Sequence, residues 1–335
     1  MPAPSDILRF MRGQLFETPT LPKTSFAGKT LVITGGNTGL GFECAKQVAH
    51  LQASVIVLGC RDLVKGSRAK DNILSSCTSK QPTIHVWQID MSSYASVKAF
   101  ASRMPNELER LDVLLANAGI STNQFVLFEG LESTLTVNVV STFLISMLAL
   151  PQLEQTAARI GQQTHLTIVG SNIHAFAAHE QLQAPPDGKV LEYLSRAEEA
   201  DMAGRYFLSK LIVMQCTRAL AEKIPSIQEG QRPQVIVNCP TPGWCKTELF
   251  RVDDGGFISR NMLKLIGRTG ESGARVLTSA FAAGDETHGQ YYSDGRVKPP
   301  SVFARSDEGR RVQHKVWGEL LSTIVRIAPS ATDGL

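Results

Sequence analysis

Short runs of β-branched and other apolar residues alternate along the chain with longer segments in which Leu, Val and Ala recur at i, i+3 and i+4. The first pattern marks strands buried on both faces and the second marks amphipathic helices. Strands are predicted at Thr30–Thr34, Ser54–Gly59, Thr83–Gln88, Asp112–Ala116, Thr164–Val169, Gln234–Asn238 and Gly289–Ser293. Helices are predicted at Gly39–Leu51, Asp62–Ser76, Ser93–Arg103, Leu131–Glu154, Gly204–Glu222, Ser272–Ala283 and Glu308–Ile327. Regular alternation of this kind predicts an α/β fold, a single doubly wound parallel sheet with helices on both faces.

No composition break, Ser/Gly/Pro linker or internal repeat divides the chain. One domain over 27–335 is therefore predicted, preceded by a helical extension over 1–26. In that extension Ile7, Leu8, Met11 and Leu15 form one helical stripe, which is expected to dock on the domain. Two stretches escape the βα rhythm, Asn172–Ala203 and Trp244–Gly270, and both follow strand C-terminal ends, the edge where open α/β sheets bind ligands. They are expected to be substrate-side loops. Pro185-Pro186-Asp187-Gly188 forms the tip of the first, and Leu191, Tyr193 and Leu194 beyond it are placed either to roof the cleft or to belong to a surface excursion packed on its own domain.

The charge balance is 34 − 31 = +3, with both signs spread along 335 residues, so no basic block exists to engage nucleic acid. Six cysteines without a C-x-x-C pair, and no histidine at ligand spacing, argue against a metal site or a disulfide scaffold and for a reducing, cytoplasmic setting. The charge-free stretch between Glu132 and Glu154 is interrupted by Asn138, Ser141, Thr142, Ser146 and Pro151, so no transmembrane segment is expected. Arg9 and Arg12 break the apolar N-terminus, and no secretory signal is expected there. The last helix, around Val316, Trp317, Leu320, Leu321 and Ile324, is apolar enough for core packing or for a homo-oligomer interface.

Candidate chemistry clusters at strand ends. Thr34-Gly35-Gly36-Asn37-Thr38-Gly39-Leu40-Gly41 joins the first strand to a helix. Such a turn lets the backbone approach a pyrophosphate while N–H groups at the helix start attract the anion, although tight loops without a ligand also look this way. After the second strand stands Cys60-Arg61-Asp62. An acid at this place reads the ribose hydroxyl of NAD and an Arg accommodates the 2′-phosphate of NADP, so NADP is expected; the alternative is a solvated Arg61 beside an N-cap at Asp62. Tyr206 and Lys210 share one helix face at i, i+4, and Ser171 follows the fifth strand. A free phenol titrates near ~10, so acid/base work by Tyr206 near neutrality needs about 4 kcal/mol of preferential stabilisation of the phenolate, which Lys210 could help to supply.

The ordered set Thr34-Gly35-x-x-x-Gly39-x-Gly41, Asp90, Asn117-Ala118-Gly119, Asn138, Ser171, Tyr206/Lys210 and Pro242-Gly243 with Thr247 resembles the short-chain dehydrogenase/reductase superfamily over about Ala27 to Ser293. Gly59-Cys60-Arg61-Asp62 and Ser171-x-x-His174 are similar to its retinol-dehydrogenase-like branch. Gln14-Leu15-Phe16 and Val169-Gly170-Ser171 resemble fungal members of secondary metabolism.

The resemblance implies a Rossmann-type NADP(H) site. Tyr206 would be the acid/base, Lys210 would lower its pKa and hold the nicotinamide ribose, Ser171 would orient the substrate oxygen, and Asn138 would hold a water of the proton relay. Gly35, Asn37, Thr38, Gly39, Leu40 and Gly41 would cradle the pyrophosphate and Arg61 the 2′-phosphate. Asp90 and Met91 would lie at the adenine, Asn117, Ala118 and Gly119 beside the cofactor, and Pro242, Gly243 and Thr247 at the carboxamide. The chain departs from the family pattern at Ala116, where a second Asn is usual, at Ser141, where Gly is common, and in the length of the Ser171-to-Tyr206 segment.

His174 is placed either to touch substrate or to be hydrogen-bonded within the pocket wall, and His179, Trp244 and Phe250 either line an apolar substrate pocket or pack against their own domain. The expected activity is ketoreductase or alcohol dehydrogenase chemistry on a small apolar, polyketide-type carbonyl or alcohol. The alternative is a non-redox biosynthetic step, such as dehydration or cyclisation, with the cofactor kept as structure.

Overall fold

The computed structural model describes residues 2–335 apart from 79, 187, 225–234, 248, 250–265 and 334. Ten strands are seen among the described residues: β1 (Thr30–Thr34), β2 (Val55–Cys60), β3 (Thr83–Gln88), β4 (Val113–Ala116), the hairpin β5 (Leu127–Phe128) and β6 (Leu131–Glu132), β7 (Thr164–Ile168), β8 (Val235–Thr241), β9 (Tyr291–Ser293) and β10 (Arg296–Val297). The main sheet has the order β10-β9-β8-β7-β4-β1-β2-β3. Every pair in it is parallel except β9 with β10. All five residues of β1 are buried, as they must be in a sheet covered on both sides. Alternation along it divides two cores: Val32 faces one, with Leu114 and Leu166, while Leu31 and Ile33 face the other, with Ile56 and Leu58.

The helices are α1 (Pro4–Phe16), α2 (Gly39–His50), α3 (Leu63–Ser76), α4 (Tyr94–Glu107), α5 (Ser133–Ile160), α6 (Glu180–Gln183), α7 (Val190–Leu194), α8 (Met202–Ala221), α9 (Gly270–Ala280), α10 (Val302–Arg305) and α11 (Asp307–Ile327). The predicted strands and helices are all present, with ends that move by a few residues; of the predicted strand 234–238, Gln234 lies outside the described residues. By length and composition α5 could cross a membrane, but 94% of its apolar window is buried inside the protein, which makes it a core helix. Val316, Trp317, Leu320 and Ile324 of α11 are likewise in the core.

One expectation is corrected and one alternative is decided. The stripe on α1 does not dock: Ile7, Leu8 and Leu15 are exposed, and the buried face is Asp6, Gly13 and Gln14. The surface beneath offers backbone N–H and C=O groups, so it selects polar side chains. Nor do Leu191 and Leu194 roof the cleft. They are buried in the main core, α7 being held by Glu319 of α11, which accepts from the Val190 and Leu191 N–H groups. Asp187 of the expected tip lies outside the described residues.

Candidate active site

The strand order reverses between β1 and β4, which places a crevice at their carboxyl ends. The glycine turn leaves β1 there and Asn117 leaves β4. The Thr34 hydroxyl accepts from the N–H groups of Asn117 (3.0 Å) and Ala118 (3.1 Å), and the Asn117 amide donates to Thr34 O (2.9 Å). The two strand ends are thereby stitched into one rim. Gly35 and Gly39 adopt positive φ of 67° and 56°, and a Cβ on Gly41 would meet the Gly35 carbonyl at 2.3 Å. Glycine is therefore required by the turn's own geometry. Thr38 makes no side-chain cap on α2, so it leaves the N–H groups of that helix start to another acceptor.

At the end of β2, Arg61 is exposed, while the Asp62 carboxylate caps α3 through the N–H groups of Val64 (2.9 Å) and Lys65 (3.0 Å). Those backbone bonds hold Asp62 below the usual carboxylate range, with Lys65 and Arg68 close enough to contribute. Asp90 is turned onto Ser92, accepting from its N–H (2.9 Å) and hydroxyl (2.7 Å). The Met91 carbonyl accepts from Ser141 Oγ (2.7 Å), so the residue that departs from the family pattern ties this loop to α5.

Asn138 lies in a π-helical turn, Thr136–Ser141, within α5, a distortion that often marks a functional position. Its Oδ1 accepts from Ile120 N (2.8 Å), and its Nδ2 donates to Ile120 O (2.9 Å) and to Ser209 Oγ of α8 (3.1 Å). A Cβ on Gly119 would lie 3.1 Å from Asn138 Oδ1. On α8, Lys210 Nζ lies 5.8 Å from the Tyr206 ring centroid and donates to Val169 O (2.8 Å), two residues before Ser171. Ser171 caps the short turn Asn172–Phe176, which packs on α8. These contacts join α5, α8 and the segment after β7 near the carboxyl ends of β4 and β7.

Burial lowers Lys210 to about 8 and raises the Tyr206 phenol above its ordinary value. Burial thus outweighs every other influence on the phenol in the protein alone.

Both ring nitrogens of His174 are occupied. Nδ1 bonds Ser171 O (2.7 Å), which requires it to carry the proton, and Nε2 accepts from Ser301 N (3.0 Å). Burial pulls its pKa down to about 4. His174 therefore has no free nitrogen for a substrate and takes the second of its two expected placements: it ties the Ser171 backbone to the segment before α10. Trp244 is partly buried beside Phe10, with ring centroids 6.5 Å apart, and its backbone N–H and C=O are held by Gln14. Phe250 lies outside the described residues. Thr247 faces the glycine turn, its Cβ 3.9 Å from where a Cβ on Gly39 would be. Pro242 O accepts from Arg268 (3.2 Å), and Gly243 takes φ 83°.

Gln14 and Arg268 had no place among the expected site residues. Their signal was the i, i+4, i+7, i+8 spacing of Asp6, Phe10, Gly13 and Gln14, readable only once polar groups are allowed on a docking face.

The short chain dehydrogenase family model matches residues 29–162. The short chain dehydrogenase/reductase dmxR8 of Cryptosporiopsis sp. is 38% identical over 96% of this chain and 98% of its own. The short-chain dehydrogenase anuD of Penicillium roqueforti is 36% identical over 96% and 84%. A short-chain type dehydrogenase/reductase from Mycobacterium marinum shares the fold, with TM-score 0.60 and 22% identity over 81% of this chain and 96% of that one. With near full-length relatives at this identity, and a crevice built as described, the chain belongs to the short-chain dehydrogenase family.

Proposed function

We propose that the chain is an NADP(H)-dependent ketoreductase or alcohol dehydrogenase acting on the carbonyl carbon of an apolar substrate. The reading is supported by Lys210 standing over the Tyr206 ring and donating to Val169 O near Ser171, and by Asn138 bonding Ser209 of the same helix. The turn fits a dinucleotide: its glycines leave no side chain over the backbone, and the α2 N–H groups receive no cap from Thr38. Gly35, Asn37, Thr38, Gly39, Leu40 and Gly41 would hold the pyrophosphate, with Asp90, Met91, Asn117, Ala118, Gly119, Pro242, Gly243 and Thr247 along the remainder. Exposed Arg61, next to an Asp62 already engaged as a cap, favours a 2′-phosphate.

When bound, the nicotinamide supplies or accepts hydride. The chain's own residues manage the proton. A phenol raised by burial is protonated at neutral pH, so Tyr206 Oη is ready to donate to a carbonyl oxygen as that oxygen gains charge. Lys210, lowered only to about 8, keeps most of its charge at pH 7 and stabilises the phenolate that results. The Ser171 hydroxyl orients the substrate oxygen. Asn138, pinned to Ile120, links the loop after β4 to α8 through Ser209, whose hydroxyl donates to the Tyr206 carbonyl. For oxidation the same proton must first pass from Tyr206 to solvent, which the Lys210 charge favours. Five buried thiols, and a sixth that is partly buried, suit a reducing compartment such as the cytoplasm.

The test is reduced-nicotinamide absorbance with NADPH and a panel of apolar ketones and aldehydes. Tyr206→Phe should lower kcat on the order of 10²–10⁴-fold with the NADPH dissociation constant nearly unchanged. Wild-type turnover in that variant sinks the assignment.

A further inference from the structure

We infer that α1 is a positioning element for the nicotinamide end of the cleft, with Gln14 as the residue that does the positioning. The inference rests on the nicotinamide-binding reading above.

The backbone on either side of residues 250–265 meets at a narrow neck. Arg268 N donates to Trp244 O (2.8 Å) and Lys246 N to Arg268 O (2.9 Å), a single bridge between Cys245 and Arg268. Gln14, 8% exposed, closes the neck from outside. Its Oε1 accepts from Trp244 N (2.9 Å), and its Nε2 donates to Trp244 O (3.0 Å) and Ile266 O (2.7 Å). One primary amide serves both sides of the neck, because it carries an acceptor and two donors in one plane.

Arg268 returns the contact. Its guanidinium donates to Gly13 O (2.6 Å) and Glu17 O (2.9 Å) at the end of α1, and it pairs with Asp294 (2.5 Å). Gly13 lies so close to this pair that a Cβ there would be 2.8 Å from Asp294 Oδ2. The helix and the neck are thus locked by reciprocal polar contacts.

What the neck carries connects this lock to the site. Thr247 follows Lys246 directly and faces the glycine turn, its Cβ 3.9 Å from where a Cβ on Gly39 would be. Phe10, one turn before Gln14, packs edge-on against Phe176 (5.9 Å), at the end of the turn that Ser171 caps, and tilts against Trp244 (6.5 Å). A single helix therefore sets the placement of Thr247 relative to Ser171, which are the two sides between which a nicotinamide ring and its substrate would lie.

The test compares binding of NADP⁺ with that of its adenosine half, adenosine 2′,5′-bisphosphate, to the intact chain, with the melting temperature recorded for each variant. Gln14→Met keeps the buried volume and removes all three bonds. Gln14→Glu keeps the acceptor for Trp244 N and turns a carboxylate oxygen on two carbonyls. We expect Gln14→Met to weaken NADP⁺ by about tenfold while the adenosine half stays within about twofold, and Gln14→Glu to weaken NADP⁺ further. General loosening of the fold cannot produce that split. Unchanged NADP⁺ affinity in both variants, or equal weakening of both ligands, overturns the inference. Should Gln14→Met not fold, Gln14→Asn, which keeps the amide on a shorter stem, is judged by the same criterion. Wild-type protein that binds neither NADP⁺ nor NAD⁺ overturns the cofactor reading itself and this inference with it.

Discussion

His174 makes the stability of the fold depend on pH near neutrality. In the unfolded chain it titrates near 6.5, whereas burial between Ser171 O and Ser301 N holds it at about 4 in the folded protein. The unfolded state therefore binds more protons from pH 6.5 downward, so stability is complete above 6.5 and is lost as the pH falls toward 4. In that window each pH unit costs about 1.4 kcal/mol per histidine, which is about 2 kcal/mol at pH ~5. His165, bonded to Ala283 O and also held at about 4, doubles the loss to about 4 kcal/mol, a large share of the ~5–15 kcal/mol typical of folded proteins. Substituting His174→Gln keeps an acceptor for Ser301 N and gives up the bond to Ser171, at a cost of about 1 kcal/mol near pH 7.5. Its further loss on going to pH ~5 should be about 2 kcal/mol smaller than that of the wild type. Urea unfolding followed by tryptophan fluorescence at both pH values measures this. An identical acid-induced loss in the variant and the wild type would show that His174 is not the neutral, doubly bonded ring described above.

Replacing Arg61→Ala should weaken NADPH far more than NADH and the difference should shrink as salt rises, because a guanidinium–phosphate contact is charge-assisted and screened; equal wild-type affinity for the two cofactors refutes the preference. Arg205 is wholly buried, donates to Leu194 O (2.7 Å), and lies 3.6 Å from Glu132, so Arg205→Met should cost about 3–5 kcal/mol by stranding that carboxylate. Adding Glu132→Gln should recover part of the loss in urea unfolding, and strict additivity of the two changes would contradict the pairing.

The strands and long helices were legible because each carries its period within its own residues, as β1 does with five buried positions in a row. The glycine turn was legible for the same reason, since its positive φ values demand glycine, and Tyr206 and Lys210 stood out as an i, i+4 pair on one helix face, whereas Asn138 was marked only by the family resemblance. What was not legible depends on partners far along the chain. Nothing near Leu191 tells that Glu319 will bind its N–H and draw α7 into the core. Nothing near Gln14 announces Trp244, 230 residues away, and the apolar stripe beside it pointed to the wrong face of α1.

That separation orders events during synthesis. The groups that α1 docks on, Trp244, Ile266 and Arg268, emerge 230 to 255 residues after it. At ~5–20 residues per second the helix waits roughly 12–50 s for its receptor, with Gln14 lacking the backbone it will clamp. The sheet from β1 to β7 can pair before then, since its strands precede the neck. Docking of the N-terminus is therefore among the last steps by which the nascent chain becomes competent, so a polypeptide truncated before the neck would contain Tyr206 and Lys210 and still lack the lock around Thr247.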